Sequence, residues 1–252
     1  MPESVVLLHG FSGTRRAWDG VAARLHPERY LPKALDLPGH GDASDAHGVG
    51  GEAITFAGCV SHVLARAPER FVLCGYSLGG RVALHVALVA PERVARLVLV
   101  STTAGIEDPT ERAQRHLSDH QLAERLETVP FEDFIERWRN QPLFAEDPPD
   151  VGKSAREDQR RNRPEALAAV LRGVGSGEME PLWDRLPELT MPVTVLAGDR
   201  DAKFLALGER MVGLLSDAEL VIVPGGHGLP LENPAAVADA LQRINPEPTD
   251  RG

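Results

Sequence analysis

The feature that most constrains the fold is a serine framed by glycines, in the pentapeptide Gly75-Tyr76-Ser77-Leu78-Gly79. The apolar run 71–74 before it is typical of a buried strand, and residues 80–90 after it have the apolar spacing of a helix that ends before Pro91. A G-x-S-x-G motif between a strand and a helix is typical of a sharp turn that projects the serine hydroxyl above a sheet. A plain strand-to-helix turn is the alternative, and the placement of the motif favours a reactive serine.

Apolar runs separated by helical patterns predict a parallel sheet. The predicted strands are 5–8, 34–36, 71–74, 96–100, 193–196 and 220–223, and the predicted helices around them are 14–25, 52–67, 80–90 and 234–244. Strands that alternate with helices form a mostly parallel sheet covered on both faces. Residues 105–185, here called the cap segment, have helical periodicity and no strand pattern. We therefore predict a doubly wound core in residues 1–104 and 186–252, with the cap segment inserted over the carboxyl ends of the strands.

The composition is typical of a globular protein that does not bind nucleic acid. Of the 252 residues, 42% are hydrophobic and 25% charged, which allows a sizeable core. The formal net charge of −10 argues against a nucleic-acid partner, which requires a positive surface, although local arginines can still bind a small anion. No signal-peptide pattern or membrane-spanning apolar run occurs, so we expect a cytoplasmic protein without a membrane partner. A monomer fits, but the sequence does not fix the oligomeric state.

Cysteine and histidine usage predicts neither a disulfide nor a metal or other cofactor. Cys59 and Cys74 both lie in apolar runs and are expected to be buried and reduced. No cluster of Cys, His and Asp has the ligand spacing of a known metal motif.

A histidine and an acid that could activate Ser77 follow it along the chain. Serine is a weak nucleophile or base until a histidine takes its proton. Of nine histidines, only His227 comes after the second block of strands. The acid is expected after strand 193–196, where Asp199 and Asp201 both occur. Asp201 is preferred because Asp199 directly follows the turn glycine and can cap the loop, but the spacing leaves Asp199 open.

The turn after the first predicted strand reads His9-Gly10-Phe11-Ser12-Gly13. The backbone N–H groups of Phe11 and Leu78 are candidates for an oxyanion hole beside Ser77. Together with the serine, the histidine and the acid, this turn resembles the core of an α/β-hydrolase.

Arg81 follows Ser77 by one helical turn and on the same side of the helix. A cation near a helix N-terminus is unfavourable by about 0.3–1 kcal/mol, so an offsetting interaction is expected. Either the guanidinium turns to solvent or to an acid, or it points into the site and binds a carboxylate as a bidentate fork. The cap segment adds the arginine-rich runs 111–116 and 160–163 and Trp138, features that more often belong to solvated helix faces and to core packing.

Six segments of the chain resemble one enzyme family. They read LHGFSGTRRAW, DLPGHG, GYSLGGRVAL, RWRNQPLFA, GDRDAKF and GGHGLPLENP. They are similar to the MenH family, the 2-succinyl-6-hydroxy-2,4-cyclohexadiene-1-carboxylate synthases of menaquinone biosynthesis, over nearly the whole chain. Many α/β-hydrolases share HGF, DLPGHG and G-x-S-x-G. The specific elements are Arg81 after Ser-Leu-Gly-Gly, the W-x-x-Q-P-L-F run that begins at Trp138, and Asp201-x-Lys203-Phe204.

This resemblance implies an α/β-hydrolase fold and the elimination of pyruvate from a small polycarboxylate, 2-succinyl-5-enolpyruvyl-6-hydroxy-3-cyclohexene-1-carboxylate. It implies that Ser77 acts as a general base in a catalytic triad with Asp201 and His227. It implies substrate contacts from Arg81, Arg115, Trp138, Tyr76 and Arg161. The chain departs from the family at Arg139, where a tyrosine usually follows the tryptophan.

Two other functions are compatible with the same core. A serine carboxylesterase or carbon–carbon bond hydrolase needs the same triad and oxyanion hole, although a neutral ester would gain little from Arg81. A non-catalytic receptor for a small molecule could also keep the fold, and a complete triad argues against that function.

Overall fold

The protein is built around one sheet of six parallel strands. The computed structural model describes residues 2–44 and 54–243. The strands are β1 (Glu3–Leu8), β2 (Tyr30–Leu35), β3 (Phe71–Tyr76), β4 (Val94–Val100), β5 (Val193–Gly198) and β6 (Ala218–Val223). They lie side by side in the order β2-β1-β3-β4-β5-β6, and every neighbouring pair is parallel. The predicted α/β fold class is confirmed.

Helices cover both faces of this sheet. The α-helices in the described part of the chain are α1 (Asp19–Ala22), α2 (Phe56–Arg66), α3 (Leu78–Val89), α4 (Pro109–Thr128), α5 (Phe131–Arg139), α6 (Pro149–Gln159), α7 (Pro164–Val174), α8 (Ala202–Val212), α9 (Leu229–Glu232) and α10 (Pro234–Gln242). Successive residues of a strand point to opposite faces. Val6 and Leu8 of β1 accordingly join a core with α2, α3 and α8, whereas Val5 and Leu7 join a core with α1, α9 and α10.

The order of the strands reverses at β1, and this reversal positions the site. The chain first runs from β1 to β2 on one side, and β3 then pairs with the other side of β1. In such sheets ligands bind in the crevice outside the carboxyl ends of the two strands at the reversal. The loops that leave β1 and β3 at this crevice carry Phe11 and Ser77.

Helices α4 to α7 lie between β4 and β5 in sequence, and α4, α5 and α7 share a small apolar core. Its buried members are Ala123, Leu126, Phe134, Ile135, Leu167, Ala168 and Leu171. Polar contacts join α6 and the residues that follow it to the loop after β1. Asp158 accepts hydrogen bonds from the Thr14 amide at 2.7 Å and the Thr14 hydroxyl at 2.5 Å, and Asn162 Nδ2 donates to the Ser12 carbonyl at 2.8 Å.

Some predicted elements differ in extent from those observed. The helix predicted over 14–25 is a 3-10 turn, Arg15–Trp18, followed by the four-residue α1. Strand β2 begins at Tyr30 rather than at Ala34, and its position at the edge of the sheet makes Pro32 tolerable within it. The helix predicted over 52–67 begins at Phe56, after the N-cap Thr55. Residues 52, 53 and 244 of the predicted helices lie outside the described residues.

Both cysteines are buried and free, as predicted. Burial raises the pKa of the Cys59 thiol to about 12 and raises that of Cys74 further, so both thiols stay protonated at neutral pH. Within residues 2–44 and 54–243, no helix is both long enough and apolar enough to cross a membrane.

Candidate active site

Ser77 lies at a tight turn between β3 and α3. Its backbone has φ 51° and ψ −109°, a region that residues other than glycine rarely adopt. The flanking glycines allow this turn because the backbone passes too close for a side chain. A Cβ on Gly75 would lie 2.3 Å from the Gly79 oxygen, and a Cβ on Gly79 would lie 2.2 Å from the Leu8 oxygen. The turn therefore holds the Ser77 hydroxyl at the N-terminus of α3.

His227 connects Ser77 to Asp201 by hydrogen bonds. Its Nε2 lies 3.2 Å from Ser77 Oγ, and its Nδ1 lies 2.8 Å from Asp201 Oδ2. His227 belongs to the loop after β6, and Asp201 is the N-cap of α8, where its other oxygen accepts from the Phe204 amide. An ionised carboxylate can only accept, so Nδ1 carries the proton and Nε2 offers a lone pair to Ser77.

Asp199, the other candidate acid, lies outside this chain of hydrogen bonds. Its Oδ1 accepts from the Gly225 amide at 3.0 Å, and its side chain is 51% exposed. Asp199 thus fixes the turn that precedes His227. The side chain of Asp201, by contrast, is 4% exposed and contacts the imidazole directly.

Two buried histidines shape the loop that carries Phe11. His9 Nε2 accepts from the Leu37 amide at 3.0 Å, and His40 Nε2 accepts from the Ser12 amide at 3.3 Å. A ring nitrogen that accepts a hydrogen bond must be unprotonated. Burial lowers the pKa of both imidazoles, which keeps both rings neutral and preserves these bonds.

Phe11 and Leu78, the residues with the candidate oxyanion-hole amides, line the same cavity as Ser77. Leu78 is the first residue of α3, so its N–H has no acceptor within the helix. An oxygen bound beside Ser77 would therefore meet the loop after β1 on one side and the start of α3 on the other.

Ser77 opens into a cavity of about 320 Å³ between the sheet and the cap segment. This volume lies within the range of small-molecule sites, roughly 300–1,000 Å³. Aromatic and aliphatic side chains form much of the wall, including Trp138, Phe144, Phe204, Val170 and Leu171. The lining contributed by the described residues includes the cations Arg81, Arg115 and Lys203 and no aspartate or glutamate. The cavity therefore suits a small organic anion.

Arg81 is the most deeply buried of these cations, with 7% of its surface exposed. Its Nη1 donates to the carbonyls of Val174 at 2.8 Å and Gly175 at 3.0 Å. Among the described residues, no carboxylate lies within ion-pair distance of the guanidinium. Burial and the nearby charge of Arg115 lower the pKa of Arg81 to about 10, which still leaves it charged at neutral pH. Neither exposure to solvent nor pairing with an acid accounts for this side chain.

Three of the other predicted contacts line the cavity. Arg115 Nε bonds to Asp119 Oδ1 at 2.8 Å, which orients the guanidinium on α4. The rings of Trp138 and Phe11 meet edge to face with centroids 5.0 Å apart. The Tyr76 ring lies 5.4 Å from the His227 ring.

Arg161 does not line the cavity. Its side chain is 54% exposed, and its Nε lies 3.8 Å from Asp158 Oδ1 near the end of α6. Lys203, which was not predicted as a substrate contact, does line the cavity. Its position two residues after Asp201, in the first turn of α8, is the signal that could have identified it.

A second, smaller cavity adjoins the first and shares the aromatic wall of Tyr76, Trp138 and Phe144. Arg139 and Asp147 form a buried ion pair in its lining. Burial raises the pKa of the Asp147 carboxyl, and the charge of Arg139 opposes this rise.

Comparison with known proteins identifies the family. Residues 5–240 match the α/β hydrolase family. The chain belongs to this family. The solved structure of MenH from S. aureus superposes with a TM-score of 0.87 and 29% identity, covering 95% of this chain and 91% of that chain. An esterase from Thermogutta terrifontis superposes with a TM-score of 0.74 and 28% identity, covering 96% of this chain and 88% of that chain.

Within the α/β hydrolases, the chain is also similar to curated synthases. One from Salmonella agona, named 2-succinyl-6-hydroxy-2,4-cyclohexadiene-1-carboxylate synthase, is 35% identical over 241 residues, which is 96% of this chain and 93% of that protein. A synthase of the same name from Salmonella enteritidis is likewise 35% identical over 241 residues, with the same coverage. These findings confirm the resemblance expected from the sequence.

Proposed function

We propose that the chain is a 2-succinyl-6-hydroxy-2,4-cyclohexadiene-1-carboxylate synthase. It would eliminate pyruvate from 2-succinyl-5-enolpyruvyl-6-hydroxy-3-cyclohexene-1-carboxylate. Relatives with this name are similar over nearly the whole chain. The observation that carries the proposal is a buried arginine without a carboxylate partner, in the cavity that Ser77 and His227 also line.

Ser77 acts as a general base in this proposal. The Ser77 hydroxyl passes its proton to His227 Nε2, while Asp201 orients the imidazole and stabilises its positive charge. The serine oxygen then removes the ring proton next to the succinyl ketone. The electron pair of that C–H bond moves through the ring double bond and breaks the C–O bond to the enolpyruvyl group. The leaving enolpyruvate takes a proton and becomes pyruvate, so no water is consumed and no acyl-enzyme forms.

The amides of Phe11 and Leu78 stabilise the enolate that develops on the ketone oxygen. Removal of a proton next to a ketone places negative charge on that oxygen, and preorganised N–H donors stabilise such charge best where water is excluded. The buried histidines His9 and His40 support this role, because they fix the loop on which Phe11 lies.

Arg81, Arg115 and Lys203 bind the carboxylates of the substrate in this proposal. The substrate carries several carboxylates, and the acidic chain brings these three cations to one cavity. A guanidinium matches a carboxylate with two parallel hydrogen bonds, so Arg81 also fixes the orientation of the ring over Ser77. Trp138 and Tyr76 supply apolar contact with the ring.

The proposal keeps the predicted division of the chain. Residues 105–185 are the cap, and residues 1–104 and 186–252 form the core. Helices α4, α5 and α7 support the division, since they share an apolar core within the cap segment. A cytoplasmic location, as expected from the sequence, is part of the same proposal.

The test follows pyruvate release from the enzymatically prepared cyclohexene substrate with a coupled reductase. We expect rapid release by the wild type, and a decrease in kcat of about 10²–10⁴-fold in Ser77→Ala, the range of general acid–base catalysis. Cleavage of p-nitrophenyl acetate is measured in parallel and should be slow. Rapid ester cleavage without pyruvate release would instead indicate a carboxylesterase, and tight binding without turnover would indicate a receptor.

A further inference from the structure

We infer that His116, His120 and Glu178 form a binding site for a divalent transition-metal ion in the cap segment. The two histidines lie one turn apart on α4, and Glu178 lies in the loop after α7. His116 Nδ1 is 2.5 Å from Glu178 Oε1, and His120 Nε2 is 3.4 Å from the same oxygen. One ligand atom from each of the three residues lies within 4.8 Å of the other two.

The donor set selects the class of metal. Two imidazole nitrogens and one carboxylate oxygen suit Zn²⁺ and its neighbours in the first transition row, whereas Ca²⁺ and Mg²⁺ prefer oxygen ligands throughout. In a tetrahedral zinc site with metal–ligand bonds of about 2.0–2.1 Å, ligand atoms lie roughly 3.3 Å apart. The separations of the two imidazole nitrogens from Glu178 Oε1, 2.5 Å and 3.4 Å, lie on either side of that value. All three side chains are partly exposed, which leaves the fourth position open to water.

The backbone around the cluster holds the ligands together without a metal. The Gly177 amide donates to Asp119 Oδ2 at 3.1 Å, which fastens the Glu178 loop to α4. A Cβ on Gly177 would lie 2.2 Å from the backbone nitrogen of His116, so only glycine lets the loop approach the helix this closely. The imidazole rings of His116 and His120 stack with centroids 4.3 Å apart. The site is therefore largely preformed, and metal binding need not order a mobile segment.

The site is separate from the proposed reaction centre. It adjoins α4 and the end of α7, two elements that also contribute residues to the lining of the cavity. Arg115 precedes His116 on α4 and is held by Asp119, the residue that also holds Gly177. Arg81 donates to the carbonyls of Val174 and Gly175 at the end of α7. A bound ion would thus cross-link α4, which carries Arg115, to the loop after α7, whose first residue Gly175 accepts from Arg81, and it would stabilise this end of the cap.

The spacing of the two histidines, four residues apart on a helix, is the signal that the sequence contains for this site. This spacing does not identify the site by itself, because the third ligand comes from residue 178, far along the chain. The topology, which pairs α4 with α7, brings this ligand to the helix.

The experiment measures Zn²⁺ binding to the full chain after removal of metal by a chelator. Competition with a chromophoric zinc indicator gives stoichiometry and Kd, and Co²⁺ absorption in the visible range reports the ligand geometry. We expect one equivalent to bind to the wild type. In His116→Gln and His120→Gln, binding should weaken at least about 100-fold, since loss of a mere supporting residue costs 10–100-fold. Glu178→Gln should weaken binding and alter the Co²⁺ spectrum.

His26→Gln is the matched control, since His26 is exposed and lies in residues 1–104, outside the cap segment. It should bind Zn²⁺ like the wild type. Zn²⁺ should also raise the unfolding midpoint of the wild type and of His26→Gln but not of His116→Gln. Equal Zn²⁺ affinity in the wild type and in the double variant H116Q/H120Q would place the ion elsewhere and overturn the inference. The same conclusion would follow if the wild type bound no Zn²⁺.

Discussion

Arg81 is held by two backbone carbonyls, and no described carboxylate lies within ion-pair distance of its guanidinium. We expect Arg81→Ala to raise KM and to lower kcat/KM for pyruvate release by about 10–100-fold, because a hydrogen bond to a charged group contributes about 1.5–3 kcal/mol. Arg81→Lys should recover only part of the loss, since an ammonium cannot form the two parallel bonds of a guanidinium. Steady-state kinetics on the cyclohexene substrate measure both effects.

The control for Arg81 is Arg172→Ala. Arg172 lies in the cap segment, where it pairs with Glu127 and does not line the cavity. Its loss should leave the kinetics unchanged. If Arg81→Ala and Arg172→Ala gave the same KM, Arg81 would not be a substrate contact. Unfolding midpoints of both variants would show whether the lost bonds to Val174 and Gly175 affect stability.

Single residues were predictable from the sequence where the backbone fixes their direction. Ser77 follows a strand and begins a helix, and His227 follows the last strand, so both had to lie at the carboxyl edge of the sheet. Arg161 and Lys203 were not predictable, because a long side chain near a helix end can face solvent or the cavity. That choice depends on neighbours such as Asp158, which are distant in sequence.

Helix α6 attaches the cap segment to the core through its last turn. Asp158 accepts two hydrogen bonds from Thr14, and its neighbour Gln159 donates to the Ser12 hydroxyl at 2.8 Å. We expect Asp158→Ala to lower the free energy of unfolding by about 1–3 kcal/mol, because it leaves buried donors of Thr14 without an acceptor. Hydrogen exchange of the amides of residues 12–14 should become faster, since this loop loses its fixed contact with the cap segment.

Glu157→Ala is the matched control for this contact. Glu157 precedes Asp158 on the same helix and is exposed, and within the described residues its one ion pair, with Lys153, is distant at 4.0 Å. Denaturant unfolding and hydrogen exchange of this variant should match the wild type. Wild-type exchange rates for residues 12–14 in Asp158→Ala would show that the contact does not hold the loop.

The strands of the sheet were predictable where both of their faces are covered by helices. The runs that became β1, β3, β4 and β5 are apolar because both faces of the sheet are covered, whereas β2 at the edge is mostly exposed and contains Pro32. The helical nature of the cap segment was also evident from periodicity. Its attachment to the core was not, because Asp158 and Asn162 meet Thr14 and Ser12 across about 150 residues of sequence.

Charge is distributed unevenly over the molecule as a whole. The chain has a net charge of −10, yet the cavity collects cations and its described lining has no carboxylate. Many surface arginines are instead paired with glutamates, as in Arg160–Glu132 and Arg156–Glu136. The local field at the site therefore opposes the global charge, and the anionic ligand proposed here is compatible with an acidic protein.

The stability of the whole molecule should depend on pH through its buried histidines. Burial lowers the pKa of His9, His40, His62 and His85 from the usual value of 6.5. Below pH 6.5 the unfolded chain takes up protons that the folded chain does not, so stability is complete above this pH and decreases as the pH falls. The exposed glutamates with lowered pKa values, such as Glu107, affect the stability only below pH 4.5, the usual pKa of a glutamate. We therefore expect the unfolding midpoint to be nearly constant from pH 7.5 to 8.5 and to decrease from pH 6.5 to 5.

His40→Gln tests this origin of the pH dependence. Glutamine keeps an acceptor near the Ser12 amide but cannot titrate, so this variant should be less stable than the wild type at pH 7.5 and lose less stability between pH 6.5 and 5. Each fully titrating buried histidine contributes a slope of up to about 1.4 kcal/mol per pH unit in this window. His26→Gln removes an exposed histidine and should keep the wild-type pH dependence. Parallel curves of unfolding midpoint against pH for His40→Gln and the wild type would mean that carboxylates, and not His40, control the stability in acid.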